Sequence, residues 1–581
     1  MTKTKKGGEI IEAMKNAAPP RPPPPDEDDM LASCPVAPLG HRGGVFYYLS
    51  PKGELRAVED RAHRRLVIKS LFDGDLTWLE SRFPVFDKEG VPKPGSWSDD
   101  KASTWLMKEC AKKAGLFNPT RSVRGPGVWL APDDGLIVHA GDEILVDGEW
   151  RLAGICLDGI IYPAAPRETR PAAKPASAGD AQDLIDLLEC WAWRSPAEAP
   201  RLLLGWIGQG YVLGALEWRS HIWIAGDRVS GKTENAKLVL GMLGSLLLHA
   251  SEATPAGVRQ QLAGASRPVA LDEMETEPSN NHARDIVHLA RLGSTEGQGS
   301  VLRGSPEGKA QAWPIRAGFY FSSILYPAFL PQDAGRICVL ELDKLQADSE
   351  ATKQVIEARK HFTALGPAFY ARMIEGWPRL LQNLAAFDAA IAALGRRVRV
   401  RDQVGTLLAC AETLLSDEPI DQTAADDLVR GMDIAAIADK HPEEDHELCV
   451  NHLMSSAPEW RAGRHETIGE ILEQAHSEMG EEARKALKAQ GLKLLDTNFR
   501  DWHGSERAMW LAVANHHQGL KRIFVDTRWK DGVWAQALKR VPAARSAPRP
   551  LDFAGAVSRA VLLPLMVVEN GGEDSRRALS V

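Results

Sequence analysis

The segment GDRVSGKT, from Gly226 to Thr233, has the residue types and spacing of a loop that binds phosphate. Its glycines let backbone N–H groups close around phosphate oxygens, and a helix amino terminus adds its positive dipole. Gly226, Ser230 and Gly231 would form the cradle. Lys232 would reach the β- and γ-phosphates, and the Thr233 hydroxyl would ligate Mg²⁺. The spacing therefore predicts binding and hydrolysis of ATP with Mg²⁺.

Two adjacent acids, Asp272 and Glu273, follow the apolar run RPVAL about forty residues after this loop. At the carboxyl end of a neighbouring parallel strand, Asp272 could hold the Mg²⁺ shell. Glu273 would then polarise the attacking water as general base. The alternative is a strand followed by an exposed acidic turn, since Glu275 and Glu277 come next. The nearby phosphate loop favours the hydrolytic interpretation.

Alternating elements must position these side chains. HIWIAG before the loop predicts a strand, and KTENAKLVLGMLGSLL after it predicts a helix. A helix (NHARDIVHLARLGS), a hairpin-like stretch (GSVLRGSPEGKAQAW), an aromatic strand (AGFYFSSI) and a last strand within DAGRICVLELD follow the acids. This order predicts an α/β core, a parallel sheet with helices on both faces.

Four motifs carry a family resemblance: LLGWIGQGYVLGALEWRSHIWIAGDRVSGKT, TPAGVRQQLAGASRPVALDE, LRGSPEGKAQ and FYFSSI. The stretch from about 184 to 343 resembles helicase-like ATPases of phages, prophages and other mobile elements. The element order resembles the AAA+ core of superfamily-3-type viral helicases. The resemblance implies a homo-oligomeric ring, expected to be a hexamer, that unwinds or translocates along DNA during replication of the element.

The resemblance also implies roles for three further residues. Ser322 or Ser323 would be the sensor-1 polar residue, although superfamily-3 proteins usually have asparagine there. Arg336 would reach into the neighbouring subunit's nucleotide site as an arginine finger, a contribution typically worth ~10³–10⁵ in rate. The alternative for Arg336 is a helix C-cap or a surface ion pair.

The hairpin-like stretch has a cation on each side of its tip, Arg303 and Lys309. In the resemblance this hairpin projects into the central pore and grips DNA. Arg and Lys at such a tip suit phosphate contacts, which track a strand without recognising its sequence. The alternative is an ordinary connecting hairpin with solvated charges.

With 581 residues, the chain is too long for a single core. Composition shifts, such as the run PPRPPPPDEDD and the Pro- and Ala-rich stretch after 163, suggest the boundaries. We predict a disordered Pro-rich tail at 1–30, an N-terminal mixed α/β domain at 31–165, a linker at 166–180, a helical collar at 181–220, the AAA+ core at 221–345, a helical domain at 346–460, a winged-helix-like domain at 461–570 and a tail at 571–581.

The net charge of −8 argues against an overall electrostatic grip on nucleic acid, so DNA contact must come from local basic patches or from a ring. The seven cysteines are dispersed without a CxxC pair, which is typical of buried thiols in a reducing cytoplasm. No apolar run is long enough to span a membrane, so no membrane partner is expected. Because zinc-ribbon cysteines are missing, we predict no primase activity; a primase or a replication initiator would be a separate partner.

Tryptophans in the last hundred residues lie among cations: Trp502, Trp510, Trp529 and Trp534. They could stack on bases, but tryptophan in a small domain is more often part of the core. A winged-helix module would make the predicted helix Asp531–Val541 the candidate DNA-facing element. Such a module could equally bind a loader or initiator protein.

The leading hypothesis is therefore a cytoplasmic ring ATPase that acts as a helicase or translocase on single-stranded or forked DNA. The alternative is a non-helicase AAA+ switch, an initiator, loader or defence ATPase that remodels proteins or senses nucleic acid.

Overall fold

The computed structural model forms two compact units, Met1–Pro327 with Gly335–Asp439 and Ala328–Ala334 with Lys440–Val581. The structure describes residues 27–113, 115–251, 253–272, 274, 282–295, 314–327, 329, 331–344, 349–395, 400–434, 445–459, 466–476, 480–497 and 508–565.

The N-terminal part of the first unit is mixed α/β. An antiparallel sheet of β1–β3 and an antiparallel meander of β6–β9 are its main sheets. The strands are β1 (Ala37–Arg42), β2 (Val45–Leu49), β3 (Leu55–Glu59), β4 (Pro84–Phe86), β5 (Pro92–Trp97), β6 (Gly127–Leu130), β7 (Leu136–His139), β8 (Glu143–Val146), β9 (Glu149–Leu152), β10 (Ile155–Leu157) and β11 (Ile160–Tyr162). The helices are α1 (Glu27–Ser33), α2 (Arg65–Leu71), α3 (Thr77–Arg82), α4 (Asp99–Lys112) and α5 (Pro119–Ser122).

Helix α1 begins at Glu27, within the segment predicted as a tail at 1–30. Met30 on this helix is buried against the core of the N-terminal part. An apolar side chain with a packing partner is enough to order the end of a polar segment. Residues 1–26 lie outside the described residues.

The predicted linker, 166–180, has no regular secondary structure up to residue 177, and its last three residues are the first turn of a helix. Its backbone is nevertheless held in place, because Ala172 N–H donates to the Pro367 carbonyl at 2.8 Å and Ala176 N–H to the Ala368 carbonyl at 2.9 Å. Glu168, which is buried, forms an ion pair with Arg267. These bonds fix the segment against the ATPase-like layers that follow.

Helix α6 (Ala178–Glu189) begins with a capping box between Ser177 and Asp180. Helix α7 (Ala199–Val212) is buried along almost its whole length, because it packs between the sheet and the later helices. Together they support the strand that leads into the phosphate loop.

A five-stranded parallel sheet is the centre of the first unit, as predicted. Its order is β13–β14–β15–β12–β16, and its core strands are buried on both faces, as is typical of parallel sheets. The strands are β12 (His221–Gly226), β13 (Leu248–Ala250), β14 (Val269–Leu271), β15 (Phe319–Ser323) and β16 (Ile337–Leu342). The helices of this region are α8 (Lys232–Leu243), α9 (Pro255–Gln261) and α10 (His282–Gly293). Helix α11 (Pro331–Ala334) follows β15 in the chain but belongs to the second unit.

Helices cover both faces of this sheet. On one face the buried His221 ring contacts the Ala290 carbonyl of α10 at 2.7 Å. On the other, Tyr320 contacts Asn235 of α8 and packs near Trp206 of α7. The side chains alternate between faces along each strand, so odd-numbered residues of β15 face α10 and even-numbered ones face α8.

A helical region completes the first unit. A single π-helical turn, Arg401–Gly405, leads into the helix that packs on α7. Its helices are α12 (Ser349–Glu375), α13 (Trp377–Ala393), α14 (Thr406–Leu415) and α15 (Gln422–Arg430). Among the described helices of the chain, none combines the length and apolar character needed to cross a membrane.

The second unit has its own core. A four-stranded antiparallel sheet, in the order β17–β18–β22–β19, and a separate hairpin of β20 and β21 are its sheets. Its strands are β17 (Leu492–Thr497), β18 (Ala508–Ala514), β19 (Arg545–Ser546), β20 (Leu551–Phe553), β21 (Ala556–Ser558) and β22 (Ala560–Pro564). Its longer helices are α16 (Asp445–Ser455), α17 (Ile468–His476), α18 (Glu481–Ala489), α19 (Gln518–Ile523) and α20 (Trp534–Leu538).

The helix predicted at Asp531–Val541 is shorter than expected, since only the five residues of α20 are helical. Asp531 and Gly532 both have positive φ angles, 58° and 91°. A left-handed backbone cannot continue a right-handed helix, so the first turn cannot form before Val533.

Candidate nucleotide-binding site

The predicted phosphate loop lies at the carboxyl edge of the parallel sheet, between β12 and α8. Gly231 has a φ of 85°, a left-handed conformation that glycine adopts without strain. It is the N-cap of α8, and no side chain caps this helix. The first backbone N–H groups of α8 have no intrahelical acceptor, so they are suited to an anion placed in the loop.

The residues of the loop pack tightly against β16. A Cβ atom on Gly226 would lie 2.6 Å from the Leu342 carbonyl oxygen and 2.9 Å from Ser230 Oγ, so only glycine fits. Ser230 is buried. The Lys232 ammonium donates to the carbonyl of Gly226 and, at 3.3 Å, to that of Asp227. The ammonium therefore already lies within the loop.

Asp272 follows β14 directly and lies at the same edge of the sheet as the loop, but the expectation of a neighbouring strand was wrong, because β15 lies between β14 and β12. Leu271 pairs with Phe321 in the register of β14 and β15, which puts Asp272 beside Ser322. Met274 N–H then donates to the Ser322 carbonyl at 3.0 Å. Thr233, in the first turn of α8, is exposed. The carboxyl edge thus carries the loop, Asp272 and Ser322 together.

A buried polar contact links α8 to this edge. The Tyr320 hydroxyl donates to Asn235 Oδ1 at 3.2 Å. Burial, reinforced by the nearby negative charge of Asp272, raises the pKa of Tyr320, so its hydroxyl keeps its proton at neutral pH. The sequence motifs did not include Asn235 or Tyr320, although an asparagine two residues after Thr233 on an otherwise apolar helix face is a usable signal. The contact fixes α8 relative to Asp272.

The two candidate sensor serines have different surroundings. Ser323 Oγ accepts from Trp223 Nε1 at 2.7 Å and donates to the Leu325 carbonyl at 2.8 Å. Ser322 has the opposite orientation, on the face that carries Tyr320 and Asp272. Because the Ser323 hydroxyl is already hydrogen-bonded to the buried Trp223, Ser322 is the better candidate for a role in the nucleotide site.

These positions predict that Ser323→Ala and Ser322→Ala have different effects. Ser323→Ala leaves the buried Trp223 N–H without its acceptor, so we expect the free energy of unfolding to fall by about 1–3 kcal/mol. Ser322→Ala should change stability less and lower the turnover of ATP at least about tenfold. Urea unfolding and steady-state ATP hydrolysis of both variants measure the difference. Equal losses of turnover would contradict the assignment.

Arg336 lies at the opposite edge of the sheet from the loop of its own chain. Strands β12 and β16 run parallel, with His221 beside Ile337 and Gly226 beside Leu342. Since Arg336 immediately precedes Ile337, it lies at the amino ends of the strands. Within one chain, Arg336 and the phosphate loop are therefore separated by the length of the sheet.

The Arg336 side chain is only 6% exposed. Its guanidinium lies 5.6 Å from the centre of the Trp218 ring, a cation–π distance. Its positive charge also acts on Asp402, a half-buried acid of the π-helical turn. The role in a neighbouring subunit stays a prediction, and it requires the guanidinium to leave Trp218.

Three predicted site residues, Glu273, Arg303 and Lys309, lie outside the described residues. Their roles stay predictions from the sequence.

A cavity of about 370 Å³ opens beside Gly226 and Asp227, within the size range of small-ligand sites. The segment 191–194 crosses one side of it: Trp191 Nε1 donates to the Gly231 carbonyl at 3.0 Å, and Arg194 pairs with Asp343 at 2.9 Å. The sequence motifs gave no indication of this segment, which precedes the loop by about 35 residues.

A phosphate loop between a strand and a helix, at the carboxyl edge of a five-stranded parallel sheet flanked by helices, defines a P-loop ATPase-like fold. No protein-family model matches the chain, and no curated protein matches it in sequence.

Among solved structures, the chain is similar to SCCmec type IV Cch, described as an active helicase, with 11% identity over 92% of this chain and 95% of that one and a TM-score of 0.42. It is also similar to the apo C-terminal region of NrS-1, with 11% identity, 92% and 98% coverage and a TM-score of 0.33. At these values, the assignment to the class depends on the sheet and the loop themselves.

Proposed function

We propose that this chain is an AAA+ ATPase of the superfamily-3 type, which hydrolyses ATP to translocate on single-stranded DNA and unwind duplex. The observation that carries the proposal is the shared edge of the sheet, where the loop, Asp272 and Ser322 lie together. The fold supplies the two features that hydrolysis needs, a phosphate cradle after β12 and an acid at the end of β14, a parallel strand of the same sheet.

The residues at this edge suit ATP with Mg²⁺. The uncapped amino terminus of α8 and Lys232 match the negative charge of a triphosphate. In this proposal, Thr233 and Asp272 hold Mg²⁺, which supplies charge neutralisation at the phosphates when bound. No group of three or more metal-ligating side chains lies together among the described residues, and Mg²⁺ with a nucleotide needs only one or two protein carboxylates. Glu273 would accept the proton of the attacking water.

The wider proposal is a cytoplasmic homo-oligomeric ring, expected to be a hexamer, in which Arg336 acts on the neighbouring subunit and Arg303 and Lys309 contact DNA. Its setting would be replication of a phage or other mobile element, with an initiator or primase as partner. The ATPase core would be 221–345, between the helical collar and the helical domain predicted from the sequence.

Replacing the two predicted hairpin cations, Arg303 and Lys309, can distinguish a DNA translocase from a non-helicase ATP switch. Under the proposal, single-stranded DNA stimulates ATP hydrolysis by the wild-type protein, and replacing both Arg303 and Lys309 with alanine abolishes the stimulation but not the basal rate. The matched control replaces Lys88 and Lys93, two exposed cations at the β4–β5 hairpin. That variant should respond to DNA normally. If hydrolysis by the wild type is indifferent to DNA, the helicase proposal fails and a non-helicase switch remains.

A further inference from the structure

The end of the second unit is strongly basic in an acidic protein. Between residues 508 and 565 there are nine lysines and arginines but only three aspartates, whereas the whole chain has a net charge of −8. Positive charges repel each other, so clustering these lysines and arginines costs free energy unless an external anion offsets the repulsion. The segment therefore points to a partner with negative charge.

Trp529 and Trp534 are core residues and do not serve as stacking platforms, whereas Trp502 lies outside the described residues. Trp534 is fully buried and donates from Nε1 to the Ala514 carbonyl at 2.9 Å. Phe524 stacks on Trp534, with ring centres 5.3 Å apart, and also packs edge-to-face on the buried Trp529. These rings hold α19 and α20 together as one rigid pair. What this pair offers to a partner is charge.

The cations project from the outside of this pair. Lys521 and Arg522 lie in the last turn of α19, and Lys539 and Arg540 follow α20 directly. All four are exposed, as is Lys530 between the helices. None of these five side chains forms an ion pair with any part of the chain that the structure describes. We call Lys521, Arg522, Lys530, Lys539 and Arg540 the basic surface.

A second surface of the same unit has a different charge pattern. Helices α17 and α18 form a helix–turn–helix pair followed by β17 and β18, an order shared with DNA-reading winged helices. The exposed side of α18, however, carries Glu481 and Glu482, and Lys485 pairs with Glu481 at 3.1 Å. Glu481 and Glu482 offset part of the positive charge of this helix, so α18 attracts a polyanion less than the basic surface does.

We propose that the basic surface binds the phosphate backbone of duplex DNA without recognising its sequence. Flexible exposed cations on a rigid helix pair suit phosphate contacts, which carry no sequence information. The site goes beyond the proposed ATPase, because it lies in the second unit and needs no nucleotide. The basic surface would add sequence-independent binding of the DNA duplex.

Fluorescence anisotropy of a labelled duplex with the full chain, without ATP, tests this inference. Two double variants, Lys521→Gln/Arg522→Gln and Lys539→Gln/Arg540→Gln, each remove two positive charges. Each should weaken binding about tenfold near 50 mM salt and reduce the slope of log affinity against log salt concentration by about two. The matched control, Lys485→Gln/Lys488→Gln, removes two charges from α18 and should bind like the wild type.

The inference is overturned if both double variants bind like the wild type, or if the control loses as much affinity. It is also overturned if the wild type binds polyglutamate as tightly as duplex at the same salt, because an acidic protein would then be the better partner. Circular dichroism melts of the variants establish that they fold. If the wild type fails to hydrolyse ATP while the double variants still lose DNA binding, the ATPase proposal fails and the basic surface stands.

Discussion

Replacing Lys232 with alanine should lower ATP turnover by about a hundredfold to a thousandfold. The ammonium lies inside the loop, donating to the carbonyls of Gly226 and Asp227. In this position the ammonium can contact the phosphates of a bound ATP. Without it, the negative charge that develops on the leaving phosphate group during hydrolysis is stabilised less. The measurements are steady-state ATP hydrolysis and binding of a fluorescent ATP analogue.

The matched control is Lys237→Ala, one and a half turns further along α8. Lys237 is exposed and pairs with Glu234 at 2.8 Å, a surface contact of little energetic value. Its replacement should leave turnover within about twofold of the wild type, because it points away from the loop. Should both variants keep normal turnover, Gly226–Thr233 is not a working nucleotide site.

Asp272→Asn is expected to abolish most Mg²⁺-dependent hydrolysis while the protein stays folded. Asparagine keeps the size of the side chain but removes the negative charge, which is what a hard divalent cation requires. We expect turnover to fall on the order of a hundredfold or more, and the Mg²⁺ concentration for half-maximal activity to rise. Titration of MgCl₂ at constant ATP measures both effects.

Asp285→Asn serves as the control for charge. Asp285 is an exposed acid on α10, whose buried side packs against the opposite face of the sheet. Its variant should show the Mg²⁺ dependence of the wild type. A common response of both aspartate variants would indicate a change in overall charge, and Asp272 would lose its assigned role.

The local motifs were predictable because their chemistry depends on neighbours in the chain. A phosphate loop needs glycines, a lysine and a hydroxyl at fixed spacing. The residues from Gly226 to Thr233 match that motif directly in the sequence. The parallel sheet was predictable for a related reason. Buried apolar strands separated by helices pack in few ways.

Other features could not be predicted, since they depend on residues far apart in the chain. The choice between Ser322 and Ser323 follows from which face of β15 meets Trp223, a residue a hundred positions earlier. Local spacing did not reveal that Arg336 would be enclosed beside Trp218. By contrast, the expectation that tryptophans in a small domain are more often core residues is confirmed for Trp529 and Trp534.

By itself, then, the sequence determined the phosphate loop, the acid at the end of a strand and the parallel sheet that brings them together. These depend on short-range spacing and on hydrophobic periodicity, which a linear pattern records completely. The tertiary structure decided which serine faces Asp272, how Asn235 and Tyr320 connect α8 to that edge, and which cations remain exposed without a neighbouring acid. Register and burial are properties of pairs of distant segments, so they exist only once the chain has folded.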